Sequence, residues 1–375
     1  MSGIYIHIPF CKQACFYCDF HFSTSLKKKE DMISSLVKEI GIRNGELQNS
    51  IIETIYFGGG TPSVLSVDEI QTIIDAVYQN HTVVEKPEIT LEANPDDLSE
   101  EKIIELSKSP INRLSIGVQS FFEKDLKLMN RAHNSEEAKN CLSIASQYFN
   151  NISVDLIYGI PDCTNEEWRE NIQTALSFGI PHISSYALTV EAKTALETLI
   201  AKGKIKNVDE EKAQEQFYIL IEELAKENFV HYELSNFSKE GYFSQNNSSY
   251  WLGKPYLGIG PSAHSFNGKE RSWNVKNNTK YIKSIQENTL PLEREILTKM
   301  DGYNEYIMTG LRTIWGVSFD KIKSNFGEEY LKYLESQSHK FIEQELLYIK
   351  NGILKTTQKG KFLSDGIASD LFKID

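Results

Sequence analysis

The chain has 375 residues, of which 40% are hydrophobic and 25% charged, a balance that supports a large core and excludes intrinsic disorder. Its 52 acidic and 40 basic residues give a net charge of −12, which argues against wholesale nucleic-acid binding. No apolar run approaches the ~18 residues that cross a membrane. The amino terminus opens on IYIHI, without the charged segment, apolar stretch and cleavage site of a leader, so a cytoplasmic protein with no nucleic-acid partner is expected.

Up to about residue 240, runs rich in β-branched and aromatic residues alternate with amphipathic stretches. Strands are expected at 4–8, 52–57, 88–92, 113–118, 152–158, 182–188 and 231–234, and helices at 30–43, 67–78, 100–107, 135–146, 166–178 and 209–227. Strict alternation of this kind means βα units and a parallel sheet, either a barrel or an open doubly wound sheet. The lysine run at 27–29 reads as a solvated helix start. Polar and glycine-rich residues follow one strand after another: GGGTPS at 58–63, Glu92 and Asn94, GVQSF at 117–121, Asp155 with YGIP, and SYALT. Carboxyl ends of parallel strands are where such sheets build their sites, so one central site is expected there.

Residues 236–265, rich in Gly, Ser, Asn and aromatics, read as long loops with short strands. Helical patterns return at 304–313, 319–326 and 329–344, followed by the strand-like LLYIKNGILKTT. That order suggests a small winged-helix-type domain, and the lack of a basic recognition face points to packing or partner contact rather than DNA. The expected division is a first domain over 1–235, a loop-rich extension over 236–296 and a carboxyl-terminal domain over 297–375.

Three of the five cysteines, Cys11, Cys15 and Cys18, fall within HIPFCKQACFYCDF, with Cys141 and Cys163 elsewhere. An odd count with such crowding argues against a disulfide framework and for a metal site. Zinc completed by His7, His21 or Asp19 is one reading, although structural zinc motifs usually bring a second, separate pair. A four-iron cluster fits better, because three thiolates can hold three irons and leave the fourth to a ligand from outside the protein. Phe10, Phe16, Tyr17 and Phe20 interleave the cysteines and would shield such a cluster.

CxxxCxxC directly after a first strand and ahead of βα units resembles the signature of the radical S-adenosylmethionine (SAM) superfamily. YIHIPFCxxxCxYC, FGGGTPS, LEANP, RLSIGVQSF, VDLIYGIP, SYALTVE and YLGIGPSAHS are together similar to the oxygen-independent coproporphyrinogen oxidase group, which includes the heme-chaperone branch, HemW. The resemblance implies a partial (βα)6-type barrel, and a 4Fe-4S cluster on the three cysteines with SAM on its open iron. Carried across by motif, Tyr5 and Tyr17 would lie along SAM, and Gly59, Gly60 and Thr61 would receive its amino acid end. Glu92, Gln119, Arg131 and Asp155 would meet its carboxylate or ribose, and Ala187 and His264 its adenosine side.

Within the group, the oxidases resemble one another in a further cysteine two positions past the third and in a long amino-terminal extension. Here Phe20 holds the cysteine position and Cys11 is already the first ligand, which favours the chaperone branch, with the decarboxylating oxidase as the alternative. Heme, acceptor hemoproteins (respiratory and membrane-bound ones among them) and an electron donor such as flavodoxin or ferredoxin are the implied partners. The branch generally carries HNxxYW. This chain has NNSSYW, so Asn247, Tyr250 and Trp251 match while Asn246 replaces the histidine. A carboxamide is a poor iron ligand, which implies heme held otherwise, by His264, His21 or a cysteine, or held more weakly.

Overall fold

The computed structural model describes residues 1–48 and 50–374. Six βα units open the chain. The strands are β1 (Ser2–Ile8), β2 (Ile52–Gly59), β3 (Val83–Ala93), β4 (Arg113–Gln119), β5 (Ile152–Tyr158) and β6 (His182–Ala187). Between them run α1 (Lys29–Ile42), α2 (Val67–Asn80), α3 (Glu100–Ser107), α4 (Glu123–Leu128), α5 (Ser135–Tyr148) and α6 (Asn165–Ser177). Helix starts are written locally: Ser66 with Glu69, Asn134 with Glu137 and Thr164 with Glu167 each form a capping box that satisfies orphan amides at both positions.

After α7 (Ala195–Ala201) and α8 (Glu210–Lys226), the chain forms β7 (Val230–Glu233), β8 (Asn236–Ser238), α9 (Gln245–Trp251), β9 (Tyr256–Ile259), β10 (His264–Phe266), β11 (Glu270–Asn274), α10 (Asn278–Gln286) and β12 (Leu292–Ile296). These strands extend a single sheet of order β12-β11-β10-β9-β1-β2-β3-β4-β5-β6-β8-β7. The pairs from β9 through β1 to β6 are parallel, and the flanks are antiparallel. β1 and β6 do not pair, so the barrel is a partial one and the sheet is open.

The short strands expected in 236–265 are present as β8, β9 and β10, but the reading of the remainder as loops needs correction. α9 occupies the NNSSYW stretch, and β9 adds a parallel strand beside β1. Both are short, and their stability comes from contacts distant in sequence, which local periodicity does not report. Outward-facing residues of the strands, such as Ile4, Ile6, Ile55, Phe57, Ile89 and Leu91, meet the helices in one continuous apolar core. Inward-facing positions are polar: Tyr5 and His7 on β1, Tyr56 on β2, Thr90 and Glu92 on β3, Arg113 and Ser115 on β4, and Asp155 on β5.

A second core surrounds Tyr303, Ile307, Leu311, Leu334 and Leu354. Its elements are α11 (Lys299–Leu311), β13 (Val317–Ser318), α12 (Phe319–Phe326), α13 (Glu328–Glu343), β14 (Leu347–Lys350) and β15 (Ile353–Thr356), ending in α14 (Gln358–Lys361) and α15 (Ser364–Asp370). Helix, strand, two helices and a two-stranded wing, with sheet order β13-β15-β14, make a winged-helix arrangement. It meets the first core through Phe217 on Phe362, ring centroids 5.6 Å apart, and Lys361 Nζ on His231 Nδ1 at 2.7 Å.

Candidate functional site

The cysteine loop leaves β1 and is fixed from several sides by its backbone. Cys11 N–H donates to Ser23 O (3.1 Å), Phe16 N–H to Met129 O (3.1 Å), and Leu196 N–H to Phe16 O (2.8 Å). Gln13 and Asn130 exchange side chain-to-backbone bonds, Gln13 to Asn130 O and Asn130 to Ala14 O, both 2.8 Å. Lys12 pairs with the buried Asp97. The three thiols are free; Cys11 is buried, and Cys15 and Cys18 are half-buried. Burial pushes the Cys11 thiol up to about 11 against a hydrogen bond from Thr61, and its neighbours Cys18 and Cys15 raise it further. Among the described residues, no three His, Cys, Asp or Glu side chains close on a single-ion site. A cube suits this donor set better, since each thiolate would take a different iron.

Arg131 ties this loop to the strand ends. It donates to Cys15 Sγ (3.4 Å), Tyr17 Oη (3.3 Å), Asn94 Oδ1 (2.6 Å) and Gly117 O (2.7 Å). Burial works against its charge, but Tyr17 and Cys15 outweigh that and raise its pKa. Asn94 in turn donates to Thr61 Oγ1 at 3.3 Å, so the ends of β2, β3 and β4 and the cysteine loop form one hydrogen-bonded unit. Gln119 sits at the end of β4 with φ +69°, a strained conformation for a side-chain-bearing residue that recurs at functional sites.

The glycine turn after β2 packs without space to spare. A Cβ on Gly60 would lie 2.6 Å from Phe10 O and 2.7 Å from Ile8 O, and Gly59, at φ +104°, would strike the His7 ring at 2.4 Å. The amides of Gly59, Gly60 and Thr61 donate to Glu92 Oε2, Ile8 O and Phe10 O. A ligand's amino group, itself a donor, would therefore meet carbonyl oxygens here rather than N–H groups. Tyr5 lies beside this turn, its hydroxyl 3.2 Å from His7 Nδ1, and burial raises its pKa ahead of the Glu92 charge.

Within the sheet's concave side, Glu92 accepts from Tyr56 Oη at 2.7 Å, and Asp155 from Ser115 Oγ at 3.2 Å. Burial raises both carboxyls, Asp155 to about 7 with the Glu92 charge as second cause. Tyr186 on β6 has 46% of its surface open to water, yet its phenol lies deep enough that burial, ahead of the charges of Asp155, Glu233 and Glu92, raises its pKa well above the ordinary value. An exposed side chain enclosed by charges marks a water-accessible hollow at the centre of the sheet. Ala187 lies at the rim, its backbone paired with Tyr158.

His264 stands two strands out from β1 with its ring stacked on Trp273, centroids 6.0 Å apart. Among the described residues, no hydrogen bond joins its side chain to the cysteine loop. The heme-region residues also lie apart. Asn246 accepts from Thr54 Oγ1 (3.2 Å), while Gln245 N–H and Asn246 N–H both donate to Glu88 (3.1 Å). Thr54 lies in the first half of β2, roughly 17 Å of strand rise before the glycine turn, and pairs with Glu88 at the middle of β3. Asn247, Tyr250 and Trp251 thus sit at the opposite end of the strands from the cysteines. His21 lies at the cysteine end, its carbonyl 3.0 Å from His7 Nε2, and His264 lies beside Gly258, level with Tyr5 at the middle of β1. Asn94, named among the strand-end residues, joins the central hollow with Tyr56, Arg113 and Tyr186, which sequence reading did not single out; the polar period-2 pattern of β2 and β4 was the available signal.

Comparison with known proteins agrees with this architecture. The radical SAM superfamily model matches residues 5–175, and the HemN C-terminal domain model matches 297–363. The heme chaperone HemW of Bacillus subtilis is 32% identical over 98% of both chains. The chain belongs to the HemW family of radical SAM proteins. The HemW of Escherichia coli is 36% identical over 70% of this chain and 69% of its own. The solved coproporphyrinogen III oxidase HemN of Escherichia coli superposes with a TM-score of 0.85 over 99% of this chain and 90% of its own, at 21% identity. That likeness speaks to the fold. The family implies a 4Fe-4S cluster and SAM, and the three free thiols beside Arg131, the side-chain-free turn at Gly59 and Gly60 and the open polar hollow fit both groups.

Proposed function

We propose that this protein is a heme chaperone on a radical SAM scaffold, binding heme and passing it to acceptor hemoproteins. The observation that carries the reading is end-to-end similarity to a protein named as a heme chaperone, at 32% identity over 98% of both chains. Phe20, 67% exposed, in place of a further cysteine supports it.

In this reading Cys11, Cys15 and Cys18 hold the cluster, and Thr61 and Arg131 brace it. The glycine-turn carbonyls and Glu92 receive the amino end of SAM, Arg131 its carboxylate, and Asp155 the ribose hydroxyls. Tyr5, Tyr17, Gln119 and Ala187 line the same hollow, with His264 assigned to its outer adenosine side. When bound, the cluster and SAM supply one-electron chemistry. An electron donor of the flavodoxin or ferredoxin class would serve the exposed cysteine-loop side.

Heme is assigned to the face of α9. There Tyr250 and Trp251 present an aromatic pair, centroids 5.2 Å apart, and Arg312 lies 5.1 Å over the Trp251 ring. Asn246 is turned toward Thr54 and serves the fold.

Anaerobically reconstituted protein, titrated with heme by absorption, should bind one equivalent and release it to an apo-hemoprotein. A combined Tyr250→Ala, Trp251→Ala variant should weaken binding about tenfold, and Asn246→Ala should leave it unchanged. No heme uptake, together with turnover of coproporphyrinogen III in the presence of SAM and a reductant, would instead make it an oxidase.

A further inference from the structure

Arg113 is among the largest fully buried side chains, 1% exposed on the inward face of β4. Its backbone pairs with Thr90 of β3, two residues before Glu92. Its Nε has no hydrogen-bond partner, and neither has Thr90 Oγ1. Among the described residues, no carboxylate reaches ion-pair distance of its guanidinium. A guanidinium carries five N–H donors and stays charged, so burying it unpaired is costly. Arg43, equally buried and likewise without a partner at Nε, differs in its terminal nitrogens, which bond Glu39, Glu46, Gly258 O and Ser265.

The surroundings of Arg113 show what its charge acts on. It faces the hollow from β4 and lowers the pKa of Tyr56 on β2, Glu92 on β3, Asp155 on β5, His182 on β6 and Tyr232 on β7. Asp155 is also faced by Ser115, Ser184 and the carboxyl of Glu92, and Tyr186 is close enough to feel its charge. Burial pushes both carboxyls toward their neutral forms, the Glu92 charge adds to the push on Asp155, and Arg113 acts against it at both. A neutral carboxyl is a poor acceptor for an ammonium or a ribose diol.

The geometry points to Arg113 as a positioning residue: an unpaired buried cation that keeps Glu92 and Asp155 in the charged, hydrogen-bond-accepting form that SAM needs. The inference rests on the assignment of SAM to this hollow. Because no directional bond to Arg113 is used, a point charge should suffice, and lysine should replace arginine here although it fails at bidentate sites.

The test is equilibrium binding of S-adenosylhomocysteine to anaerobically reconstituted protein as a function of pH, for the native chain, Arg113→Met, Arg113→Lys and Asp155→Asn. In the native chain affinity should rise with pH through about 7, where Asp155 ionises. Arg113→Met should move that midpoint up by about one unit and weaken binding roughly tenfold at pH 7, and Arg113→Lys should restore the native midpoint. Asp155→Asn should abolish the pH step, a result that stands even if Arg113→Met does not fold. An unchanged midpoint in folded Arg113→Met, a lysine variant as impaired as the methionine one, or a pH step that survives Asp155→Asn would overturn the proposal. No binding by the native chain at any pH would remove the SAM assignment on which it rests, an outcome distinct from binding without a shift.

Discussion

At the scale of single residues, position 60 tolerates no side chain, because the cysteine loop crosses it with two carbonyl oxygens. Gly60→Ala should displace that loop, cost about 2 kcal/mol and lower the iron retained after anaerobic reconstitution, measured by iron assay and absorption. Glu39 shows the opposite use of a buried polar group. Its carboxylate accepts from Arg43 (3.0 Å), Asn274 (2.7 Å), Gly260 N–H (2.8 Å) and Tyr281 (2.5 Å), locking α1 to the β9–β11 region and α10. Glu39→Ala removes the fully buried one of Arg43's two carboxylate partners, leaving Glu46 at 2.6 Å, strands Asn274, Gly260 N–H and Tyr281, and should destabilise the fold by about 3–5 kcal/mol in urea titration. The cysteines, glycines and Asp155 were legible from residue type and spacing. Glu39 and Arg113 were not, since an isolated Glu or Arg carries no sign of being buried until distant strands surround it.

Among the elements, helices with capping boxes start where their Ser, Asn or Thr residues indicate, because those contacts are made within four residues. α9 is different. Its first amides are held by Glu88, more than 150 residues earlier in the chain, and no local rule anticipates that. Glu88→Gln should remove the charge at the helix start, cost about 1 kcal/mol and speed hydrogen exchange across Gln245–Trp251 without altering the cluster's absorption. Separate outcomes are expected because α9 and the cysteine loop occupy opposite ends of the strands.

On the scale of the whole molecule, the two cores meet at a contact sensitive to pH. Burial lowers Lys361 to about 8, ahead of a partial correction by Glu233, while its ordinary value is about 10.4. A base whose folded pKa is depressed contributes stability that is fully present above the unfolded value and is lost as pH falls through the folded one. Lys361 should therefore add a rise in stability from pH 8 toward 9.5 to a profile that the buried thiols Cys141 and Cys163, pushed up to about 12 by burial, lower over the same range. Lys361→Met should flatten that rise in chemical denaturation. Glu233 and Thr313 also form a β-bridge across this junction, and Ile314 N–H donates to Tyr232 O at 3.0 Å, so the winged-helix unit is stitched to the sheet by backbone as well as by side chains. No helix among the described residues is long and apolar enough to cross a membrane.

The amino-acid sequence by itself determined the βα alternation, the winged-helix order of the tail, the cysteine spacing and the polar residues at strand ends. Each of these is carried by residues close together in the chain, through periodicity, capping or ligand spacing. Tertiary structure alone decided that β9 pairs with β1, that the sheet stays open beyond β6, and that NNSSYW is a helix at the far end of the strands from the cysteines. It also decided that Arg113 is buried with no ion pair among the described residues, on the strand between those of Glu92 and Asp155. Those facts depend on which distant segments become neighbours, and pairings of that kind are stabilised by burial and hydrogen bonding that no short window of sequence contains.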